Sequence, residues 1–387
     1  MAKLISADLT NNNLCILEYT TIDGQKLSIK PVLFDAKIVA HTYTDIGRII
    51  FGTPITKIAC EAFCCSSLAS VIIPDSVTTI GSGAFCGCES LKEFKGKFAA
   101  DNGRCLIIDG VLNSFAIGCG DVDYTIPDSV TTIGEYAFSD CSSLASVIIP
   151  DSVTTIGSSA FGCCTSLASV IIPDSVTTIG KFAFSDCTSL TSVTIPGSVT
   201  TIGSSAFDAC TSLTSVIIPD SVTTIGEFTF DGCTSLASVI IPDSVIEVGM
   251  FAFDGCTSLA SVIIPDSVTT IGRSAFRGCS SLASVTIPDS VTTIGCDAFC
   301  NCKSLSRLTI GKNVKEIAET AFNECYNVDM IICRATTPPK LYSSRDSMSS
   351  PSWQFKTLVV PIGCEEAYAN SDWGIILKSN NKILEGN

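Results

Sequence analysis

The 387-residue chain has a single histidine, only 7% aromatic residues and only 16% charged ones. One histidine leaves little room for nucleophilic catalysis: a Ser–His or Cys–His system would have to be built around His41, and no recognisable nucleophile motif lies near it. His41 reads as a surface or cap residue. There is no GxxxxGK[ST] loop, no GxGxxG after a strand and no HExxH, so no cofactor is expected and an enzyme is disfavoured. Apolar stretches are interrupted every few positions by Pro, Asp, Ser or Gly, which argues against membrane insertion by a helix. The opening MAKLISADLTNNNLCILEY lacks the apolar core of a secretory signal. From this start the expectation is an intracellular chain, one released without such a signal, or one already processed.

Basic residues are also scarce. The net charge of −15 argues against nucleic acid and anionic membranes as partners. Between Asp123 and Cys302 there are 17 acidic residues against Lys181, Arg273 and Arg277, which places a balance of −14 in one segment. That segment is a repeat. Prolines stand at 127, 150, 173, 196, 219, 242, 265 and 288, each 23 residues after the last, in copies of SLASVIIPDSVTTIGSSAFGCCT. Counting outlying copies, about twelve coils are expected, and a 23-residue period lies in the leucine-rich-repeat range of about 20–29.

Within one unit, alternation turns Leu144, Val147 and Ile149 inward and Ser146 and Ile148 outward. Pro150 ends the strand, having no amide proton for the ladder. Gly157 is expected to let the chain reverse. Ala160-Phe161 through Cys164 is expected to form a turn or so of helix on the convex side. A single unit cannot bury its own apolar side, but stacked units make a continuous core of like residues in ladders. The expected domains are a β-rich N-terminal cap at 1–54, a solenoid at 55–327 with a β-hairpin insert near 97–120, and a C-terminal strand/helix cap at 328–387. The cap includes a serine-rich loop at 343–352.

The unit resembles the BspA-type leucine-rich-repeat family, with its pattern L-x-x-[LV]-x-[IL]-P-x-x-[VL]-x-x-I-[GA]-x-x-A-F-x-x-C, from about Ile55 to Cys325. The tail TLVVPIGCEEAYANSDWG is similar to a cap found in such proteins. The resemblance implies a right-handed α/β solenoid with a curved parallel sheet. It also implies a cell-surface protein that attaches to host matrix proteins or to other microbes.

The 22 cysteines include a column at 88, 141, 164, 187, 210, 233, 256, 279, 302 and 325, with Cys65 as an eleventh member. Parallel stacked thiols do not favour disulfide geometry, and Cys86, Cys163 and Cys300 do not converge with a histidine. The column reads as small buried side chains, no metal site is expected, and the reduced thiols point to the cytoplasm.

Three outward ladders are candidate binding surfaces. On the concave sheet face stand Ile148, Ile171, Thr194, Ile217, Ile240, Ile263 and Thr286, an apolar stripe that either docks a protein or only supports itself along the sheet. An acidic rim runs through Asp151, Asp174, Asp220, Asp243, Asp266 and Asp289, interrupted by Gly197. Stacked like charges repel by about 1 kcal/mol per pair in water, yet Asp also closes turns through its own backbone. A variable column holds Tyr136, Ser159, Phe182, Ser205, Phe228, Phe251, Ser274 and Asp297, whose large and small members are expected to interdigitate. The expected function is non-enzymatic protein binding through the concave sheet, or alternatively a structural or scaffold role in a larger assembly.

Overall fold

A computed structural model describes residues 14–343, 355–376 and 382–386. All but the first residue of the serine-rich loop lies outside them. The chain divides into two units, Met1–Leu167 and Ala168–Asn387. Each is a parallel β-solenoid, and the chain makes about 14 turns in all, against about twelve read from the repeat.

In unit 1, three antiparallel strands precede the coils. Cys15–Thr21 pairs with Gly47–Phe51 on one side and with Leu68–Ile72 on the other, and Ile38–Tyr43 flanks Gly47–Phe51. Leu68–Ile72 then starts parallel pairing with Glu93–Lys95. Between the coils, Cys105–Ile108 and Val111–Phe115 form an antiparallel hairpin. Its turn residues Asp109 and Gly110 have φ of 50° and 77°, the left-handed pair that a tight hairpin needs. Val111–Phe115 also pairs in parallel with Thr132–Ile133, so this strand is part of the solenoid wall.

In the repeats of unit 2, each coil carries two strands. The longer, such as Ser215–Ile217, pairs in parallel with its equivalents one period away: Ser192↔Ser215↔Ser238 and Val193↔Val216↔Val239. A second, two-residue strand occupies the Thr-Ile segment and builds its own parallel ladder, as in Thr178↔Thr201 and Thr270↔Thr293. The extra turns lie after the repeats. Val328–Cys333, Phe355–Pro361 and Lys382–Gly386 continue the parallel ladder from Arg307–Ile310. Two short helices, Glu365–Ala369 and Asp372–Ile376, pack across this end. The Trp373 indole donates to Pro339 O (2.8 Å) and the Tyr368 hydroxyl to Ala335 O (2.7 Å).

The expected helical turn is absent from the described repeats, so the class is β-solenoid rather than α/β. Two left-handed residues four positions apart bracket the Ala-Phe segments up to Ala298-Phe299, for example Ser205 and Ala209 (φ 57° and 54°) or Phe251 and Gly255 (56° and 67°). They break any helical run. Alternate N–H groups here go to the neighbouring coil: Phe184 N donates to Ala206 O, and Asp186 N to Asp208 O, each at 2.8 Å. A helix would have spent those donors on its own carbonyls.

The glycine after the short strand also has a different job from reversal. Gly157 and Gly249 do not lie in the left-handed region. A Cβ on Gly249 would stand 2.8 Å from Ile225 O and 2.9 Å from Gly226 C, so glycine is required for close approach of adjacent coils.

Leu, Val, Ile, Phe and Cys ladders fill the interior. From Phe184 to Phe322 the rings stack at 5.2–5.6 Å with interplanar angles of 4–11°. That spacing is close to the interstrand distance, so a single period sets the backbone ladder and the ring stack together.

Candidate functional site

The outer face of the longer strands is a regular surface of unit 2. Strand alternation buries Val193, Val216, Val239 and Val262 and turns their neighbours out. Ile171, Ile217, Ile240 and Ile263 are 77%, 64%, 62% and 81% exposed, and Thr194 and Thr286 are exposed as well. Register places Ile171 beside Thr194, then Ile217, Ile240 and Ile263. In unit 1, Ile148 is 62% exposed and pairs with Thr125.

The sequence reading missed how far this column runs. Thr286 aligns with Thr309, Ile332, Val359 and Leu384. A groove of about 560 Å³ opens here over Thr309, Ile332 and Val359, walled by Pro361 and Ile362. A second hollow of about 480 Å³ lies over Ile263 and Thr286, and Arg334 lines both.

Beside the column, Asp151 in unit 1 and Asp174, Asp220, Asp243 and Asp266 in unit 2 are exposed. The turns that carry them are closed by backbone bonds, such as Val222 N to Pro219 O at 3.0 Å. Asp289 differs: it accepts from Lys312 N (2.9 Å) and meets the Lys312 ammonium at 3.3 Å. These contacts hold its carboxyl below the usual range, with the backbone bond as the main cause.

The variable column is the set of left-handed residues, with φ of 51–59° from Tyr136 to Asp297. Phe228 and Phe251 do not interdigitate with small neighbours. They stack face to face at 4.7 Å and 5°. Arg277 lies over the Phe251 ring and forms an ion pair with buried Asp254 at 2.7 Å. Sequence reading also missed the acidic run Asp208, Asp231 and Asp254, one per coil. Burial first, then Asp254 and Asp208, pushes the Asp231 carboxyl up to about 6.

All 22 cysteines are free, and the ten-member column is buried throughout, whereas Cys65, expected as its eleventh member, is exposed at a left-handed position (φ 54°). The column's thiols donate to the phenylalanine carbonyl of the preceding coil, as in Cys233 to Phe207 O and Cys256 to Phe230 O, both 3.2 Å. Burial raises the pKa of Cys233 and Cys256, so these two thiols stay protonated and unreactive. Among the described residues no group of three or more His, Cys, Asp or Glu is placed to hold a metal ion. His41 Nε2 is 2.8 Å from the Tyr19 hydroxyl, and burial lowers its pKa. No described helix is long and apolar enough to cross a membrane.

The BspA type Leucine rich repeat region model matches residues 25–99, 113–222 and 200–329. No curated protein matches the chain. Among solved structures, a leucine-rich repeat protein from Bacteroides ovatus is similar in fold, at 21% identity and a TM-score of 0.50, covering 92% of this chain and 100% of its own. One from Eubacterium ventriosum has 29% identity and a TM-score of 0.50 over 58% of this chain and 62% of its own. A leucine rich cell surface protein from Faecalibacterium prausnitzii has 31% identity over 81% of this chain and 89% of its own, with a TM-score of 0.41. With its repeat ladders and more than half its length matched, the chain belongs to the BspA-type leucine-rich-repeat family, whose solenoids are typical of surface and adhesin-like proteins.

Proposed function

We propose that this is a non-enzymatic adhesion or recognition protein that binds a protein partner through the outer, concave face of its longer strands. One observation carries the reading. Ile171, Ile217, Ile240 and Ile263 stand at least 62% exposed on a surface held by parallel ladders, beside a row of exposed carboxylates. An apolar stripe on a rigid face loses little freedom on docking, so its burial converts efficiently into affinity. The same reading takes 1–54 and 328–387 as caps of a solenoid at 55–327, with right-handed crossovers between parallel strands. Its partner is a host matrix or microbial surface protein, met at the cell surface.

The test uses biolayer interferometry on immobilised extracellular-matrix proteins and on whole bacterial cells. The wild-type chain is expected to bind at least one of these. Ile217→Lys with Ile240→Lys, folded by circular dichroism, is expected to bind at least tenfold more weakly. Undiminished binding by the folded double variant refutes the surface, and the scaffold role then becomes the better account.

A further inference from the structure

We propose that the groove at the C-terminal end of this face is an anchoring subsite for an extended acidic peptide segment of the partner. The inference rests on the face being a partner surface and adds where the partner is held and by what chemistry.

The rim beside the apolar column reverses sign at this end. From Asp123 to Cys302 the chain carries three basic residues, whereas Arg307, Lys312 and Arg334 alone converge on the groove. Register explains how they meet. Arg307 occupies the column of the outward serines, opposite Ser284, and Lys312 follows Asp289 by one period. Arg334 follows directly after Cys333, whose partner is Ile310. Lys312 is already engaged by Asp289. Arg307 and Arg334 are exposed; Arg334 is near enough to Asp289 to help hold its carboxyl down, and among the described residues neither guanidinium has a side-chain hydrogen bond or ion pair. Both stand over a largely apolar floor of Thr309, Ile332 and Val359.

Guanidinium forks match carboxylates in a bidentate way, and the floor suits aliphatic side chains. The groove's roughly 560 Å³ falls within the range of about 300–1,000 Å³ usual for ligand sites. Arg334 also lines the Ile263–Thr286 hollow, but Asp266 and Asp289 line it too, so the acidic residues of the segment are held at the cationic end. A segment alternating carboxylate and aliphatic residues fits this layout: alternate side chains reach the floor while the others meet the arginines.

The experiment measures fluorescence anisotropy of a labelled (Glu-Leu)₄ peptide, and of its (Gln-Leu)₄ counterpart, with the full chain. The acidic peptide is expected to bind at least tenfold more tightly, with affinity falling as salt rises. Arg307→Glu with Arg334→Glu is expected to abolish that preference. Arg307→Gln with Arg334→Gln, which removes the charge without reversing it, is expected to lose most of it, which covers the case of a misfolded reversal variant. Equal binding of the two peptides, or a preference that survives both variants, overturns the proposal. So does concentration-dependent self-association in sedimentation velocity that only the arginine variants lose, since a second copy's acidic rim would then be the occupant. The Ile217→Lys, Ile240→Lys variant separates the two readings. If it loses matrix or cell binding yet keeps the peptide preference, both stand. If its matrix or cell binding is unchanged while peptide selectivity depends on the arginines, the subsite stands and the wider face does not.

Discussion

At the scale of single residues, repetition multiplies whatever one position does. A cysteine that donates to the phenylalanine carbonyl of the preceding coil does so in coil after coil, and the column's burial was legible from its period and residue type. The donor role was not, because nothing in a Cys-x-x-Leu spacing says which carbonyl lies above it. Repetition multiplies cost as well. Asp208, Asp231 and Asp254 stand at successive coils, and only Asp254 gains a counter-ion, from Arg277. The ordinary carboxyl value is 3.8, and Asp231 is pushed up to about 6 in the fold. Between those values the native state holds a proton that the unfolded chain has released, so stability falls as pH rises from about 4 to 6. Above that window the repulsion is fully present, and below it absent. Asp231→Asn is therefore expected to raise the melting temperature at pH 7.5 and to leave it unchanged below pH 4. Thermal melts of both proteins across pH 3.5–8 check this. An equal gain at every pH would assign the effect to packing rather than to charge.

At the scale of elements, the coil divides into a part the sequence displays and a part it hides. The longer strand is displayed because Val147 and Ile149 alternate with Ser146 and Ile148, and the burial of Val147 beside exposed Ile148 follows that alternation. The two-residue Thr-Ile strand is hidden, since two residues carry no periodicity. The turn face is hidden more deeply. Its left-handed positions are filled by Tyr136, Phe182 and Phe251, residues that give no hint of positive φ. Variation in that column therefore reads as packing, when its shared property is a backbone conformation. Two glycines separate the physical causes. Gly255 is left-handed at φ 67°, and the nearest atom to an added Cβ is 3.6 Å away, so Gly255→Ala bears only conformational strain, about 1 kcal/mol. Gly249 carries no such strain but has Ile225 O 2.8 Å from the added Cβ, so Gly249→Ala must push two coils apart, at about 2–3 kcal/mol. Urea denaturation of the two variants is expected to rank them in that order. The reverse order would mean that the coils give way more easily than the backbone.

At the scale of the molecule, the 23-residue period says what can be removed. Each coil in unit 2 bonds to the next in identical register, with Ser192 facing Ser215 and Ser215 facing Ser238. Stability in such an array is close to a sum of unit and nearest-neighbour terms. Deleting residues 192–237 joins Thr191 to Ser238 and restores the Thr-Ser-Val-Ile sequence, so every ladder closes again with Ile171 beside Ile240. This variant is expected to fold cooperatively, with a urea m-value lower by on the order of a tenth, in line with the surface removed. Removing 34 residues, about one and a half units, would set the turn face of one coil against the strand face of the next and is expected to leave the chain unfolded. The two-unit deletion also probes function, because it removes Thr194, Ile217 and the Asp220 carboxylate while leaving Arg307 and Arg334 in place. Recognition spread along the stripe predicts weaker partner binding by the shortened chain, with its preference for an acidic peptide intact. Full partner binding by that folded protein would show that affinity does not reside in the repeated coils, however regularly their isoleucines face the solvent.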